Sequence, residues 1–213
     1  MPGAAPLDAS TLALLRLAGA IAAGGEPGMR RAMDEARASA VPVAWVEELL
    51  LQSVLMCGYP RALVALGLWR AEGGPPAPAA DADADYGNLA EWMARGEQTC
   101  AKVYGGNYAR LRQNVRALHP AVDQWMLVEG YGRTLGRPGL DFLRRELCTV
   151  AQTAVLGTHR QLHSHLRGAL HGGATVAQVE AALAVVTPLL DGGERQAVTD
   201  LWAGVRAGWT PEG

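Results

Sequence analysis

The sequence has little aromatic character. Aromatic residues make up 6% of the 213 residues, with a single Phe, whereas hydrophobic residues as a whole make up 49%. Aromatic and β-branched side chains favour pleated sheets, so an apolar content supplied largely by Ala and Leu favours close-packed helices. Sustained apolar–polar alternation and Asn-Gly hairpin signals are also missing. The composition therefore predicts an all-α protein with ample material for a core.

Cysteine is scarce as well. The three cysteines (Cys57, Cys100 and Cys148) are odd in number and widely separated, and they form neither a CxxC pair nor a zinc-ligand spacing. This pattern argues against a disulfide framework.

The chain also lacks a charge excess and a long apolar run. Nineteen basic and twenty-one acidic residues give a net charge of −2, which argues against a nucleic-acid or anionic-membrane partner. The apolar stretch 12–23 is interrupted by Arg16 and is too short to span a bilayer. The first residues show no signal-peptide pattern. We therefore expect a cytoplasmic protein without nucleic-acid or membrane partners.

Helix start and stop signals punctuate the chain. Asp8 begins a run of good N-cap residues, Gly58 is suited to end a helix, and Pro120 is suited to stop one. In the helix expected after Pro120, glycines at 130, 132 and 136 predict a loosened end.

Residues 71–87 differ from the rest of the chain. They are rich in Pro, Gly, Ala and Asp and show no apolar periodicity, which predicts a linker or a mobile surface loop. Domain boundaries follow from it, with one helical unit at 8–70 and a second at 88–209.

The two units share an internal repeat. An offset of 133 residues aligns 13–69 with 146–202 without a gap, and a V-A-x-V-E-x-x-L block begins at both Val43 and Val176. Glu146 then aligns with an alanine, as does His165, so the first copy lacks these polar residues. We expect two tandem repeats, the first catalytically degenerate, with one working site per chain.

Motifs in the second unit resemble a known family. The chain carries R-x-E-L at 144–147, L-x-x-H-x-x-x-A-L at 162–170, and Gly-Ala-Thr at 173–175 leading to Glu180. Together they resemble the carboxymuconolactone decarboxylase / AhpD superfamily. The resemblance implies an AhpD-like helical fold and a homo-oligomer. A homotrimer is favoured because three two-repeat chains supply six units, with a dimer and a hexamer as alternatives.

The resemblance also indicates which of the family's two types of active site to expect. Peroxidase-type AhpD members combine a Glu, a CxxC pair and a His. This sequence keeps Glu146 and His165 but has Thr158 and Gln161 where the cysteines would stand. The dithiol cycle therefore has no chemical basis there, and the chain resembles the decarboxylase-type members.

His165 is the candidate acid–base catalyst because imidazole transfers protons near neutral pH. Glu146 would fix its tautomer or act as a base, and Arg145, Arg160 or Arg137 would hold a substrate carboxylate. Such chemistry requires no metal or organic cofactor. The hypothesis is decarboxylation or lactone and ring chemistry on a small carboxylated compound.

Other interpretations stay open at this stage. A single thiol, Cys57 or Cys148, would support a peroxidase or antioxidant function. A non-catalytic oligomeric protein would use the bond between Glu146 and His165 only to lock its helices.

A metal site is the weakest of these alternatives. His159 and His163 have the i, i+4 spacing of metal ligands, with His171 or Glu146 as a third, but a solvated helix face is the favoured interpretation.

Overall fold

The computed structural model describes residues 6–210, which form helices and connecting turns without a strand. The all-α prediction is confirmed. The helices are α1 (Ala9–Ala23), α2 (Glu26–Ala38), α3 (Val43–Ala71), α4 (Leu89–Tyr104), α5 (Tyr108–Leu118), α6 (Pro120–Trp125), a π-helix (Met126–Leu135), α7 (Phe142–Val155), α8 (His159–His171), α9 (Val176–Val186) and α10 (Gly192–Ala207). Short 3₁₀ turns lie at Ala82–Ala84, Tyr86–Asn88, Gly105–Asn107 and Thr187–Leu189.

Aspartates cap two helices that pack against each other. The Asp8 carboxylate accepts a hydrogen bond from the Thr11 backbone N–H at 2.7 Å and begins α1. Asp141 does the same for the Arg144 N–H at 3.1 Å and begins α7. Each cap satisfies a backbone donor that has no partner inside the helix. Both helices then run through the centre of the apolar core.

The helix bounds follow the spacing of the proposed repeat. Helices α1, α2 and α3 begin 133 residues before α7, α8 and α9, respectively. Left-handed backbone recurs at the same spacing, at Gly24 and Gly157. Trp69 donates to Glu47 at 2.5 Å, and Trp202 approaches Glu180 at 3.4 Å in the equivalent place. These coincidences support the repeat, which we retain as a proposal.

Gly58 breaks the long helix α3 as its sequence position predicts. Its φ of 75° and ψ of 163° lie outside the helical region. Within residues 6–210, α3 is the one helix that is long and apolar enough by length and composition to cross a membrane. Gly58 divides it into two segments, and each falls short of the ~20 residues that a span needs.

Glycines in the π-helix allow close packing instead of loosening a helix end, which corrects the prediction for this segment. The helix continues to Leu135 and lies directly against α4. A Cβ at Gly132 would collide with the Trp92 carbonyl, and one at Gly96 would collide with the Leu127 carbonyl. The missing side chains therefore bring the two backbones together.

Residues 71–87 are anchored to the helices by ion pairs. Asp81 pairs with Arg137 at 2.7 Å, and Asp83 pairs with Arg137 at 2.9 Å and with Arg95 at 2.5 Å. The indole N–H of Trp92 also donates to Asp83 at 2.7 Å. These contacts show a held segment rather than the mobile loop that its composition predicts. The boundaries 8–70, 71–87 and 88–209 stay predictions.

A buried carboxylate joins α5 to α6. Asp123 has no exposed surface and accepts hydrogen bonds from Arg112 and from Arg116, the latter at 3.0 Å. The hydrogen bonds from Arg112, aided by those from Arg116, hold the pKa of Asp123 below its ordinary value.

We expect Asp123→Asn to lower the free energy of unfolding at pH 7 by about 1.5–3 kcal/mol, the usual cost of losing charged hydrogen bonds. Because the folded-state pKa is lowered, this stabilisation is complete above the unfolded carboxyl pKa of ~3.9. It is lost as the pH falls through the lower folded-state value. Urea unfolding at pH 7 and at lower pH measures both effects.

The matched control is Asp200→Asn on the exposed surface of α10. It should change the free energy of unfolding by less than about 0.5 kcal/mol. Equal stabilities of the two variants at pH 7 would contradict this role of Asp123.

Candidate active site

A cavity of about 470 Å³ opens between α8 and the helices that precede α7. This volume is typical of small-molecule sites. Its lining comes from six helices: Leu55 and Met56 of α3, Tyr104 of α4, Leu111 and Val115 of α5, Val122 and Trp125 of α6, Met126, Glu129, Gly130, Tyr131 and Leu135 of the π-helix, and Arg160, Gln161, Ser164 and His165 of α8.

His165 and Glu146 form a buried pair beside the cavity. The Nδ1 atom of His165 lies 3.0 Å from Oε2 of Glu146, and the two residues are 5% and 2% exposed. An ionised carboxylate only accepts hydrogen bonds, so with Glu146 ionised Nδ1 carries the proton. Within the described chain no protein group bonds Nε2 of His165, which lines the cavity. The pair can therefore present a proton acceptor or donor to a ligand.

Gly168 makes room for the Glu146 carboxylate. It lies on α8, three residues after His165, and the Glu146 carboxylate lies where a Cβ of Gly168 would stand. The same Cβ would lie 2.8 Å from Cγ1 of Val103, on α4. A side chain at position 168 would therefore push Glu146 away from His165.

Two tyrosines add neutral hydroxyl groups to the cavity. Burial raises the pKa of Tyr104 and raises that of Tyr131 well above the ordinary value, so both stay protonated at neutral pH. The Tyr131 hydroxyl donates to that of Tyr104 at 3.4 Å. Tyr104 thus accepts from Tyr131 and keeps its own proton available for a ligand oxygen.

Arg160 is the arginine that the fold brings to this cavity. It lies at the exposed mouth with Gln161, and within residues 6–210 its guanidinium forms no ion pair. Glu129, the acidic residue of the lining, is paired with Arg133 at 2.7 Å. Thr158 is absent from the lining, and its hydroxyl bonds the Thr153 carbonyl at 3.3 Å.

The other two candidate arginines lie in a separate buried cluster. Glu48 pairs with Arg145 at 2.6 Å and with Arg137 at 3.0 Å. Arg145 also donates to the Leu140 carbonyl at 3.1 Å. Neither arginine lines the cavity. Their substrate-binding role stays a prediction that their placement does not support, because Glu48 already pairs with both and Asp81 and Asp83 also pair with Arg137.

The thiols are poorly suited to form nucleophiles. All three are free, and burial raises the pKa of Cys57 to about 11 and those of Cys100 and Cys148 to about 12. Thiolate is the reactive form, so these shifts make it scarce at neutral pH. None of the three lines the cavity.

The remaining histidines of α8 have separate partners. His159 pairs with Glu194 at 2.8 Å, and His171 bonds the Val103 carbonyl at 3.0 Å, while His163 is exposed. Across residues 6–210, no group of three or more His, Cys, Asp or Glu side chains is arranged to hold a metal ion.

Comparison with known proteins places this site in context. The chain matches the carboxymuconolactone decarboxylase family over residues 121–203. It is similar to Peroxisomal protein 2 of Schizosaccharomyces pombe, with 30% identity over 159 residues, 72% of this chain and 71% of that protein. The chain belongs to the carboxymuconolactone decarboxylase family.

The segment that matches the family contains the charged and titratable candidate residues of the site. Glu146, Arg160 and His165 all lie within residues 121–203, as does the π-helix. The cavity of this decarboxylase-family protein is completed from outside that segment by side chains of α3, α4 and α5.

The sequence interpretation missed Tyr104, Tyr131 and Gly130. The two tyrosines lie in helices whose apolar periodicity marks them as ordinary core residues. The signal that could have found Gly130 is the Gly-Tyr-Gly run at 130–132 inside a helical pattern. A glycine inside such a pattern often marks a close approach or a functional gap.

We expect Gly168→Ala to shift His165 from the Nδ1–H towards the Nε2–H tautomer, because the added methyl group displaces the Glu146 carboxylate. Long-range ¹H–¹⁵N NMR of the imidazole reports the tautomer directly. The control is Gly204→Ala, where the added Cβ meets no atom within 4 Å. An imidazole spectrum of Gly168→Ala identical to that of the wild type would refute this role of Gly168.

Proposed function

We propose that this chain is an enzyme that carries out cofactor-free acid–base catalysis on a small carboxylated compound, by decarboxylation or by lactone or ring chemistry. The observation that supports it is the His165–Glu146 pair, buried at the wall of a cavity with Nε2 of His165 left for a ligand. Membership of the carboxymuconolactone decarboxylase family supports the same class of chemistry.

The proposed decarboxylation divides the work between three residues. Arg160 holds a carboxylate at the cavity mouth through its N–H donors. Loss of CO₂ breaks a C–C bond and leaves its electron pair on the substrate carbon, and protonated His165 gives the proton of Nε2 to that carbon. Glu146 keeps its hydrogen bond to Nδ1 and so orients the ring and stabilises the imidazolium form.

Two other functions are less well supported. Peroxide reduction through a single cysteine needs an accessible thiolate, and the raised pKa values of the three thiols disfavour it. A non-catalytic oligomeric protein would have no need of an open cavity beside a histidine whose second nitrogen is unused.

The location of the protein remains a proposal with two candidates. The sequence favours the cytoplasm. The relative from Schizosaccharomyces pombe is named for the peroxisome, which raises that organelle as the alternative for this chain.

We expect His165→Ala to reduce kcat/KM about 10²–10⁴-fold, the usual contribution of a positioned acid–base group, without unfolding the protein. A panel of small carboxylated lactones and β-keto acids, assayed for CO₂ release and ring opening, identifies the reaction. Circular dichroism during heating checks the fold of each variant.

The matched control is His163→Ala on the same helix, because His163 is exposed and does not line the cavity. It should retain wild-type kcat/KM. Unchanged turnover of the identified substrate in His165→Ala would overturn the proposed function.

We also propose that the chain self-associates, with a homotrimer favoured over a dimer or a hexamer. Large apolar side chains remain exposed on two of the helices that line the cavity: Leu55, Tyr59 and Leu63 of α3, and Trp125 of α6. Exposed apolar side chains that adjoin one another are typical of interaction surfaces. Sedimentation equilibrium should give three times the 22.4 kDa chain mass, and a monomer at micromolar concentration would contradict the proposal.

A further inference from the structure

The wall of the cavity is hydrocarbon over most of its extent. The side chains that α3, α5, α6 and the π-helix contribute to the lining are apolar for the most part: Leu55, Met56, Leu111, Val115, Val122, Trp125, Met126 and Leu135. A charged group placed against such a wall would lose its hydration without gaining a partner. The wall therefore favours an apolar ligand body.

The polar groups gather at one side. His165, Ser164 and Gln161 lie on one face of α8, and Arg160 adds the positive charge at the mouth. Because Glu129 is already paired with Arg133, the lining contributed by residues 6–210 offers one uncompensated cation, Arg160. One cation matches one carboxylate on the ligand.

We propose that the ligand of this cavity is a hydrophobic monocarboxylate, with an aliphatic or aromatic body against the apolar wall and its one carboxylate towards Arg160 and His165. The proposal rests on the proposed function and narrows its substrate class. The cavity volume of about 470 Å³ lies within the range of sites that enclose drug-sized ligands. Small lactones bearing several carboxylates would leave most of the wall unfilled and their extra charges unpaired.

Gly130 provides a way to fill the cavity without disturbing its frame. It is a buried lining residue of the π-helix, yet a Cβ there would meet only the Trp125 carbonyl, at 3.9 Å. A larger side chain at this position therefore extends into the cavity. Gly204 is the control position. It lies on the exposed face of α10, has open space around it, and belongs to a helix that contributes no residue to the lining.

The test is isothermal titration calorimetry with two unreactive probes of similar size, dodecanoate and benzene-1,3,5-tricarboxylate. We expect the wild type to bind dodecanoate at least about ten-fold more tightly than the tricarboxylate. Gly130→Leu should weaken dodecanoate binding at least about ten-fold, because the added carbon atoms occupy the space of several methylene groups. Gly204→Leu should bind dodecanoate within about two-fold of the wild type.

A second pair of variants on α5 covers the case in which Gly130→Leu fails to fold. Val115 lines the cavity and is half-buried, whereas Leu118 is 82% exposed and does not line it. Val115→Gln should weaken dodecanoate binding several-fold, and Leu118→Gln should not.

The charge of the head group is tested separately. Arg160→Gln should weaken dodecanoate binding about two- to five-fold, the range expected for an exposed ion pair. Unchanged affinity would overturn the assignment of a carboxylate head group.

The proposal is overturned if the tricarboxylate binds as tightly as dodecanoate, or if a folded Gly130→Leu or Val115→Gln variant binds dodecanoate like the wild type. Binding of these probes requires no turnover. If the acid–base proposal is wrong, His165→Ala will have wild-type kcat/KM while dodecanoate still binds. The two proposals therefore fail in different measurements.

Discussion

The buried carboxylate of Glu146 is the constraint on which the site depends. At 2% exposure it has almost no access to water, and a carboxylate in such a place requires a hydrogen-bond partner from the protein. His165 supplies that partner, and Gly168 on the same helix leaves the space that the carboxylate fills. One bond therefore links α7 to α8, and it leaves the second ring nitrogen of His165, a residue that lines the cavity, without a protein partner in the described chain. The hydrogen bond that holds the two helices together is thus the same bond that orients the His165 ring.

Charge pairing determines which arginine remains available. Glu48 pairs with Arg145 and with Arg137, Asp81 and Asp83 also pair with Arg137, and Glu129 pairs with Arg133. Asp123, a buried residue of α6, forms ion pairs with two further arginines, Arg112 and Arg116 of α5. Of the arginines considered for substrate binding, Arg160 alone keeps an unpaired guanidinium and lies at the cavity. The protein thus combines a nearly neutral overall charge with one local positive group at a mostly apolar cavity.

The sequence predicts the fold well because its signals are local. N-cap aspartates, the helix break at Gly58 and the stop at Pro120 each act within one or two turns, and the structure has a helix boundary or break at each. The pair of Glu146 and His165 was also predictable, but from the family resemblance. The cavity was not, because its lining joins helices that lie far apart in the chain. Which of Arg137, Arg145 and Arg160 lies at the cavity was not predictable for the same reason, since the first two pair with Glu48, about ninety residues away in the sequence.

The origin of the cavity lining bears on how relatives of this protein differ. Residues 121–203, which match the family, contain the His165–Glu146 pair and Arg160 at the mouth but not the whole enclosure. Leu55 and Met56 come from α3, and Tyr104, Leu111 and Val115 come from α4 and α5, all of which lie before the matched segment. Two proteins could therefore share every residue of the matched segment and still accept different molecules. Divergence of ligand preference within the family can proceed in α3, α4 and α5 while Glu146 in α7 and His165 in α8 stay unchanged.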